Sequence, residues 1–176
     1  MKESYLSNDC LILRAVEPED LEIMYLMENN SDLWDVSSIT VPYSRYMLKE
    51  YLTSSQNDIF ADKQLRLMLV RRVDNKVMGA VDLTDFVPLH ARAAIGIAVL
   101  KEFQGKGYAR QAIELLIKYV FDFLHLKQLY AYVPVKNDAS KQLFINCGFA
   151  QCGLLKDWVR TKEEYEDVLL MQRIQN

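Results

Sequence analysis

Apolar residues occur in strand-length runs through most of this chain and at helical spacing in a few places. Leu11 to Ala15 is short and apolar and reads as a strand. Pro18 fits the first turn of a helix running to about Asn29, with Leu21, Met24, Tyr25 and Glu28 near one face. The cluster Asn29-Asn30-Ser31-Asp32 breaks that pattern. Ser44 is placed to cap a second helix through about Leu52, and the polar stretch Ser54 to Asp58 reads as a loop. Leu65 to Val73 and Val77 to Phe86 flank Asp74-Asn75-Lys76, a hairpin turn. Pro88 interrupts the run, and a third strand is expected from about Arg92 to Val99. A helix over Ala109 to Leu124 follows, then a strand from Gln128 to Val133 and a short helix from about Ala139 to Asn146. Two strands near Leu154–Val159 and Asp167–Arg173, joined by Thr161-Lys162-Glu163-Glu164, close the chain.

The order β, α, α, β, β, β, α, β, α, β, β combines antiparallel hairpins with one βαβ crossover. It predicts an α/β fold: a mixed, largely antiparallel central sheet with helices on both faces. The 176 residues carry no internal repeat or flexible linker, which suits one domain over 1–176 with a single hydrophobic core.

Composition narrows the function classes. With 51% apolar and 26% charged residues the chain is ordinary for a globular protein. The longest apolar stretch, Ala112 to Leu126, is interrupted by Glu114, Lys118, Asp122 and His125, so it reads as a core helix and no membrane span is expected. No secretory leader pattern opens the chain. Cys10, Cys147 and Cys152 have no metal-type spacing, and a small odd count suits a reducing cytoplasm. The net charge of −3 argues against a nucleic-acid ligand. Its distribution is uneven: the first 35 residues balance to −7 and the rest to +4. An acidic front suits a cationic substrate and a basic remainder a phosphate-rich cofactor. The same acids also fit helix starts and solvated faces.

The most telling stretch is Lys101-Glu102-Phe103-Gln104-Gly105-Lys106-Gly107-Tyr108-Ala109-Arg110. A strand, a glycine turn and a helix start together make an anion site, because the first helical turn has free N–H groups at the positive end of the dipole. Gly105 and Gly107 let a phosphate approach the backbone, and Lys106 and Arg110 add positive charge. A plain turn that needed two glycines is the alternative.

Context favours the anion site. Gln104-x-x-Gly107-x-Ala109 resembles the pyrophosphate loop of the GNAT N-acetyltransferase superfamily, which binds acetyl-CoA. Asn137-Asp138-Ala139-Ser140-Lys141-Gln142-Leu143-Phe144, leading to Gly148-Phe149, is similar to the second half of that family's cofactor site. Leu11 to Ala15 with Glu17 to Leu21 looks like its opening strand and helix, and Gly148 to Met171 like its closing hairpin. The resemblance covers nearly the whole chain and implies an acyl-CoA N-acyltransferase fold with acetyl-CoA as cosubstrate.

It also implies roles. Residues Gln104, Gly105, Lys106, Gly107, Tyr108, Ala109 and Arg110 would surround the diphosphate. The backbone of Ile97, Ala98 and Val99 would pair with the pantetheine amides as an added strand. Gly96 would ease a splay of that strand from the next, or leave a packing gap. Asn137 would bond the cofactor arm, or cap a helix. Ser140 and Lys141 would lie near the adenosine phosphates, with a solvated lysine as the plainer reading of Lys141. Phe144 stands at the cofactor where many members carry a Tyr that protonates the leaving thiolate, and Phe cannot donate a proton.

The base is similarly open. Polyamine-acetylating relatives often have a Glu near the start of the cofactor strand, where this chain has Ala94. Asp82, Asp85 and His90 remain, and Asp82 and His90 are the expected catalytic residues. Strand alternation puts Asp82 and Thr84 on one face and Asp85 on the other. Asp82 among Val81 and Leu83 marks a cleft or an open sheet face. His90 is a candidate proton acceptor, or simply a loop histidine. His125 suits a helix end. A water chain without any single base is also sufficient. Trp34, Tyr43, Tyr46 and Trp158 would border the acceptor pocket, or pack at its rim.

The chain looks most like the spermidine and ribosomal-protein-alanine acetyltransferase branch. The expected activity is transfer from acetyl-CoA to a primary amine by direct attack. The acceptor would be a polyamine such as spermidine, with a peptide N-terminus or an antibiotic amine open. A non-catalytic acyl-CoA-binding module is the competing class, and pairing as a homodimer comes with the resemblance.

Overall fold

The computed structural model describes residues 4–30, 41–54, 58–161 and 163–176. Strand β1 (Leu11–Ala15) leads through a 3₁₀ turn, Pro18–Asp20, into α1 (Leu21–Glu28). Asp20 fixes that entry. Its carboxylate accepts the Glu17 N–H at 2.8 Å and both ends of the Arg14 guanidinium at 2.6 and 2.9 Å, and the residue is only 3% exposed. Burial works against its charge, yet these bonds hold its carboxyl below the usual aspartate range.

Helix α2 (Arg45–Ser54) begins where Ser44 Oγ accepts the Met47 N–H at 3.1 Å. It ends two residues beyond the expected limit. Of the polar stretch Ser54 to Asp58, Ser54 closes α2 and Asp58 caps α3 (Ile59–Asp62), its carboxylate accepting the Phe60 N–H at 2.9 Å, while 55–57 lie outside the described residues. Four residues of helix leave too little periodicity to detect in a sequence.

Strands β2 (Leu65–Arg71), β3 (Val77–Val87) and β4 (Arg92–Val99) follow. The turn between β2 and β3 is clasped by Arg71 on Asp74, at 2.6 and 2.9 Å. Helix α4 (Tyr108–Lys118) continues as a π turn, Tyr119–Phe123, with the Leu124 N–H bonding Tyr119 C=O at 3.0 Å. Then come β5 (Gln128–Pro134), α5 (Asp138–Asn146), β6 (Ala150–Arg160) and β7 (Tyr165–Ile174).

The seven strands form one sheet in the order β1-β2-β3-β4-β5-β7-β6, with every neighbour antiparallel except β4 and β5. That parallel pair is the crossover carried by α4, as the element order requires. The side chains divide by alternation. Leu67, Leu69, Val81, Leu83, Ala93, Ile95, Leu129, Ala131 and Val133 face α4 and α5 in the larger core. Met68, Val70 and Ala80 face α1 and α2 in the smaller one. Helices therefore cover both faces, but α1 and α2 reach only the β1–β4 half of theirs. No helix among the described residues is long and apolar enough to cross a membrane.

Candidate active site

The site lies where the parallel pair comes apart. Strands β4 and β5 are paired at Arg92↔Gln128, Ala93↔Leu129 and Ala94↔Tyr130, and no later pair joins them among the described residues. Strand β4 runs on to Val99 while β5 runs on to Pro134. Toward β3, β4 stays paired as far as Gly79↔Val99. One backbone edge of Ile95–Val99 thus faces a gap, and exposure changes with it: Ala93 to Ile95 are buried, Gly96 to Val99 half-buried. Such an edge offers N–H and C=O groups to an extended, amide-bearing ligand.

At the end of β4 the chain turns under strict local control. Phe103 is buried and its N–H bonds Leu100 C=O at 2.8 Å. Gln104 Nε2 donates to Val99 C=O at 2.8 Å, tying the loop to the strand. Gly105 and Gly107 have φ of +70° and +81°, and a Cβ at either would meet nothing within 4 Å. The backbone requires glycine there, and the space above it is open. Tyr108 starts α4, with its ring against Phe103 at 6.5 Å, and the Gln111 N–H makes an early helical bond to Gly107 C=O at 3.3 Å. The amides of the first turn ahead of it point into the open space. Lys106 Nζ donates to Glu102 C=O at 2.7 Å, and Arg110 Nε to Glu114 at 2.8 Å. Both cations stay beside the loop with their side chains tied to its flanks. A cavity of about 280 Å³ lies between the end of α1, Ala98–Lys101 and Gln104.

Asn137 caps α5: its Oδ1 accepts the Ser140 N–H at 3.0 Å. Lys141 pairs with Asp138 at 2.6 Å. Phe144 departs from the expected cofactor contact. It is 4% exposed and packs edge-on against Phe149 at 5.1 Å, inside the larger core. Its ring serves packing rather than the open surface of the cleft.

The opposite face of the sheet carries a second set of polar groups. A cavity of about 390 Å³ is lined by Met24 and Glu28 of α1, Tyr43, Met47 and Tyr51 near α2, and Arg66, Asp82 and Thr84 of the sheet. Arg66 donates Nε and Nη2 to the two oxygens of Asp82 at 2.7 and 2.9 Å, and Nη1 to Glu28. Burial would lower the Arg66 guanidinium, but these two carboxylates hold it well above its ordinary range. Burial also pushes up the Tyr51 hydroxyl.

His90 is exposed on the 3₁₀ turn between β3 and β4 and lines none of the described cavities. It sits at the Arg92 end of β4, roughly 20 Å of strand from the glycine loop. Trp34 lies outside the described residues. Tyr43 lines the large cavity, whereas Tyr46 is 68% exposed and donates to Glu50 at 2.6 Å. Trp158 is 58% exposed and stacks on Tyr132 at 6.4 Å. The acidic front is partly neutralised within the fold, since Asp20 pairs with Arg14, Glu22 with Arg45 and Glu28 with Arg66.

Asp85 departs from simple strand alternation. The β3–β4 register shifts between Thr84 and Val87, and Asp85 has φ +49°. This bulge turns Asp85 onto the same face as Asp82, where Tyr130 Oη donates to it. Burial and the Asp85 carboxylate together keep the Tyr130 hydroxyl well above the usual tyrosine range. A second cleft of about 260 Å³ is lined there by Asp85, Arg92, Gln128, Tyr130, Tyr132 and Cys152 with residues of β7.

Comparison with known proteins agrees with this geometry. The family described as Acetyltransferase (GNAT) domain matches residues 11–150. The spermidine N(1)-acetyltransferase of Vibrio cholerae serotype O1 is 30% identical over 169 residues, 96% of this chain and 95% of that protein. The crystal structure of spermidine N-acetyltransferase from Vibrio cholerae in complex with CoA and spermine superposes with a TM-score of 0.84 at 30% identity, over 96% of this chain and 97% of that one. A dodecameric structure of the Vibrio cholerae enzyme gives 0.82 at 29% identity, over 96% and 95%. The chain belongs to the GNAT acetyltransferase family and is an acetyl-CoA-dependent N-acetyltransferase. The residues present fit that cosubstrate: an open strand edge, then glycines with positive φ and free space above them, then a helix start.

Proposed function

We propose that the enzyme acetylates a primary amine of a polyamine. The observation that carries this reading is the 390 Å³ cavity, in which, among the described residues, Glu28 and Asp82 face two tyrosines and a single cation, Arg66. Its balance of −1 favours an ammonium-bearing chain over a carboxylate-bearing one. The cavity lies on the face of β4 to which Gly96 belongs, since Gly96 pairs with Asp82, and a Cβ at Gly96 would meet nothing within 4 Å. An amine on that side has a path to the gap. The similarity to an enzyme solved with CoA and spermine supports the same acceptor class.

In this reading the loop amides from Gln104 to Arg110 hold the diphosphate, and Ile97, Ala98 and Val99 pair with the pantetheine arm. Asn137 and Ser140 border that arm. The thioester then lies in the gap, and the amine nitrogen attacks its carbonyl carbon directly. The C–S electron pair leaves on sulfur. A thiolate whose acid has a pKa of roughly 8.5, by analogy with cysteine, departs without a dedicated donor and takes its proton from water. Asp82, with both oxygens on Arg66, serves to hold a distal ammonium group. His90 has no comparable position. Assembly into more than one copy is supported by the bare half of the sheet, where Tyr132, Leu154 and Trp158 are exposed, and by the multimeric relative. Free thiols at Cys10, Cys147 and Cys152 support a reducing, cytoplasmic setting.

Thiol release from acetyl-CoA, measured with spermidine, spermine and an N-terminal peptide, tests the reading. Turnover with the polyamines and little with the peptide is expected. Peptide turnover alone would replace the acceptor class, and tight acetyl-CoA binding without thiol release from any amine would favour the non-catalytic module.

A further inference from the structure

Tyr130, in the last pair before the gap, Ala94↔Tyr130, also lines the second cleft. Ala94 is paired with Thr84 on its other side, so β3, β4 and β5 meet there side by side. Across them runs one polar bridge: Tyr130 Oη on β5 donates to Asp85 Oδ2 on β3. Two strand spacings separate β3 from β5, about 9.6 Å, and only a small residue between them lets the bridge pass. Ala94 is that residue.

The bridge depends on a backbone departure. Asp85 takes the left-handed region at φ +49°, uncommon outside glycine, and this is what turns its carboxylate over the cleft. Its state contrasts with that of Asp82 three residues earlier. Both Asp82 oxygens accept from Arg66. One Asp85 oxygen accepts from Tyr130, and among the described residues the other accepts from none. The side chain is exposed to the cleft. Arg92 from β4, Tyr132 from β5 and Cys152 from β6 are the other titratable groups on its walls, and the buried Arg92 Nε has no partner among the described residues. The Tyr130 hydroxyl, held above its usual range, stays protonated and keeps donating.

We infer that Asp85 is the proton acceptor of the reaction and that Tyr130 is its positioning residue. As the amine nitrogen forms its bond to the acetyl carbon, it sheds a proton to the free Asp85 oxygen. The C–S bond breaks with its electron pair on sulfur, Asp85 returns the proton to solvent, and the thiolate is protonated by water. For the polyamine acceptor this inference rests on the reading above, with the reacting end at Asp85 and the distal end near Asp82 and Glu28.

The test compares Asp85→Asn and Tyr130→Phe with wild type on the best amine the wild type accepts. Each is measured as kcat against pH and as acetyl-CoA affinity by calorimetry. Asn tolerates the left-handed backbone, so D85N keeps the bulge. D85N is expected to lose about 10²- to 10⁴-fold in kcat and the low-pH limb of the profile, with acetyl-CoA affinity unchanged. Y130F removes the hydroxyl that orients the carboxylate, so it is expected to lower kcat by less than D85N, with the KM for the amine and the acetyl-CoA affinity unchanged. Full retention of kcat and of that limb in D85N, to within about threefold, overturns the inference. So does a kcat loss matched by an equal loss of acetyl-CoA affinity, which marks a structural role. A wild type that acetylates peptides and not polyamines defeats the acceptor reading alone, and the D85N ratio is then read on the peptide.

Discussion

The glycine loop and the proposed acceptor face are built on different principles. From Val99 to Arg110 the site is made of backbone: two glycines with positive φ, a strand edge and the amides of a helix start. Side chains there mostly hold the loop, as Gln104 does on Val99. The acceptor face is made of side chains, Glu28, Arg66, Asp82, Asp85 and Tyr130, whose meeting depends on register. A backbone site is tied to short-range sequence and fails when a turn is blocked. A side-chain site is tied to how strands align and changes with single charges.

The sharpest way to break the first half is at Gly79. A Cβ there would sit 2.0 Å from Ala98 O and 2.9 Å from Val99 Cα, both backbone atoms that cannot rotate away. Gly79→Ala is expected to push β4 from β3 at the cofactor strand, cost about 3 kcal/mol in urea denaturation and weaken acetyl-CoA binding in calorimetry.

Next in size is the acceptor cation. Replacing Arg66 with Met leaves Glu28 and Asp82 facing each other in a largely buried site. Stability is expected to fall by about 2 kcal/mol, less than for a fully buried pair because the site is open to the cavity. The cavity balance becomes −2, so the KM for polyamines falls even as the fold weakens. A raised KM would show that Arg66 holds the acceptor rather than the carboxylates.

The smallest effect is expected at Phe144. A hydroxyl added by Phe144→Tyr meets a packed core beside Phe149, costing about 1 kcal/mol in thermal or urea unfolding. Because the ring points inward, kcat stays within about twofold. A tenfold rise would place this residue at the sulfur.

The same division governs what was legible in the sequence. Strand and helix runs were readable because each is set by local periodicity, and the glycine loop because its spacing lies within one turn. The proposed acceptor site was readable only in part, through Asp82 and Tyr43, because two bulges intervene. Counted straight from the Asp74-Asn75-Lys76 turn, Arg66 falls opposite Val81, but the register shift between Leu69 and Val70 moves it opposite Asp82. Gly79, a glycine inside a strand pattern, was the one local signal of that shift. The bulge at Asp85 has no glycine to announce it, so alternation put the carboxylate on the wrong face. Phe144 was placed at the cofactor by resemblance, which transfers a position along the chain but not the direction of a buried ring.

The most direct measurement is calorimetric titration of coenzyme A into wild type and Gly107→Val. With φ at +81°, a β-branched residue strains the turn, and its side chain enters the open space above the loop. Wild type is expected to bind, and the variant, while still folded, to lose about two orders of magnitude in affinity. Equal affinity in the two proteins, or no binding by wild type, contradicts this expectation.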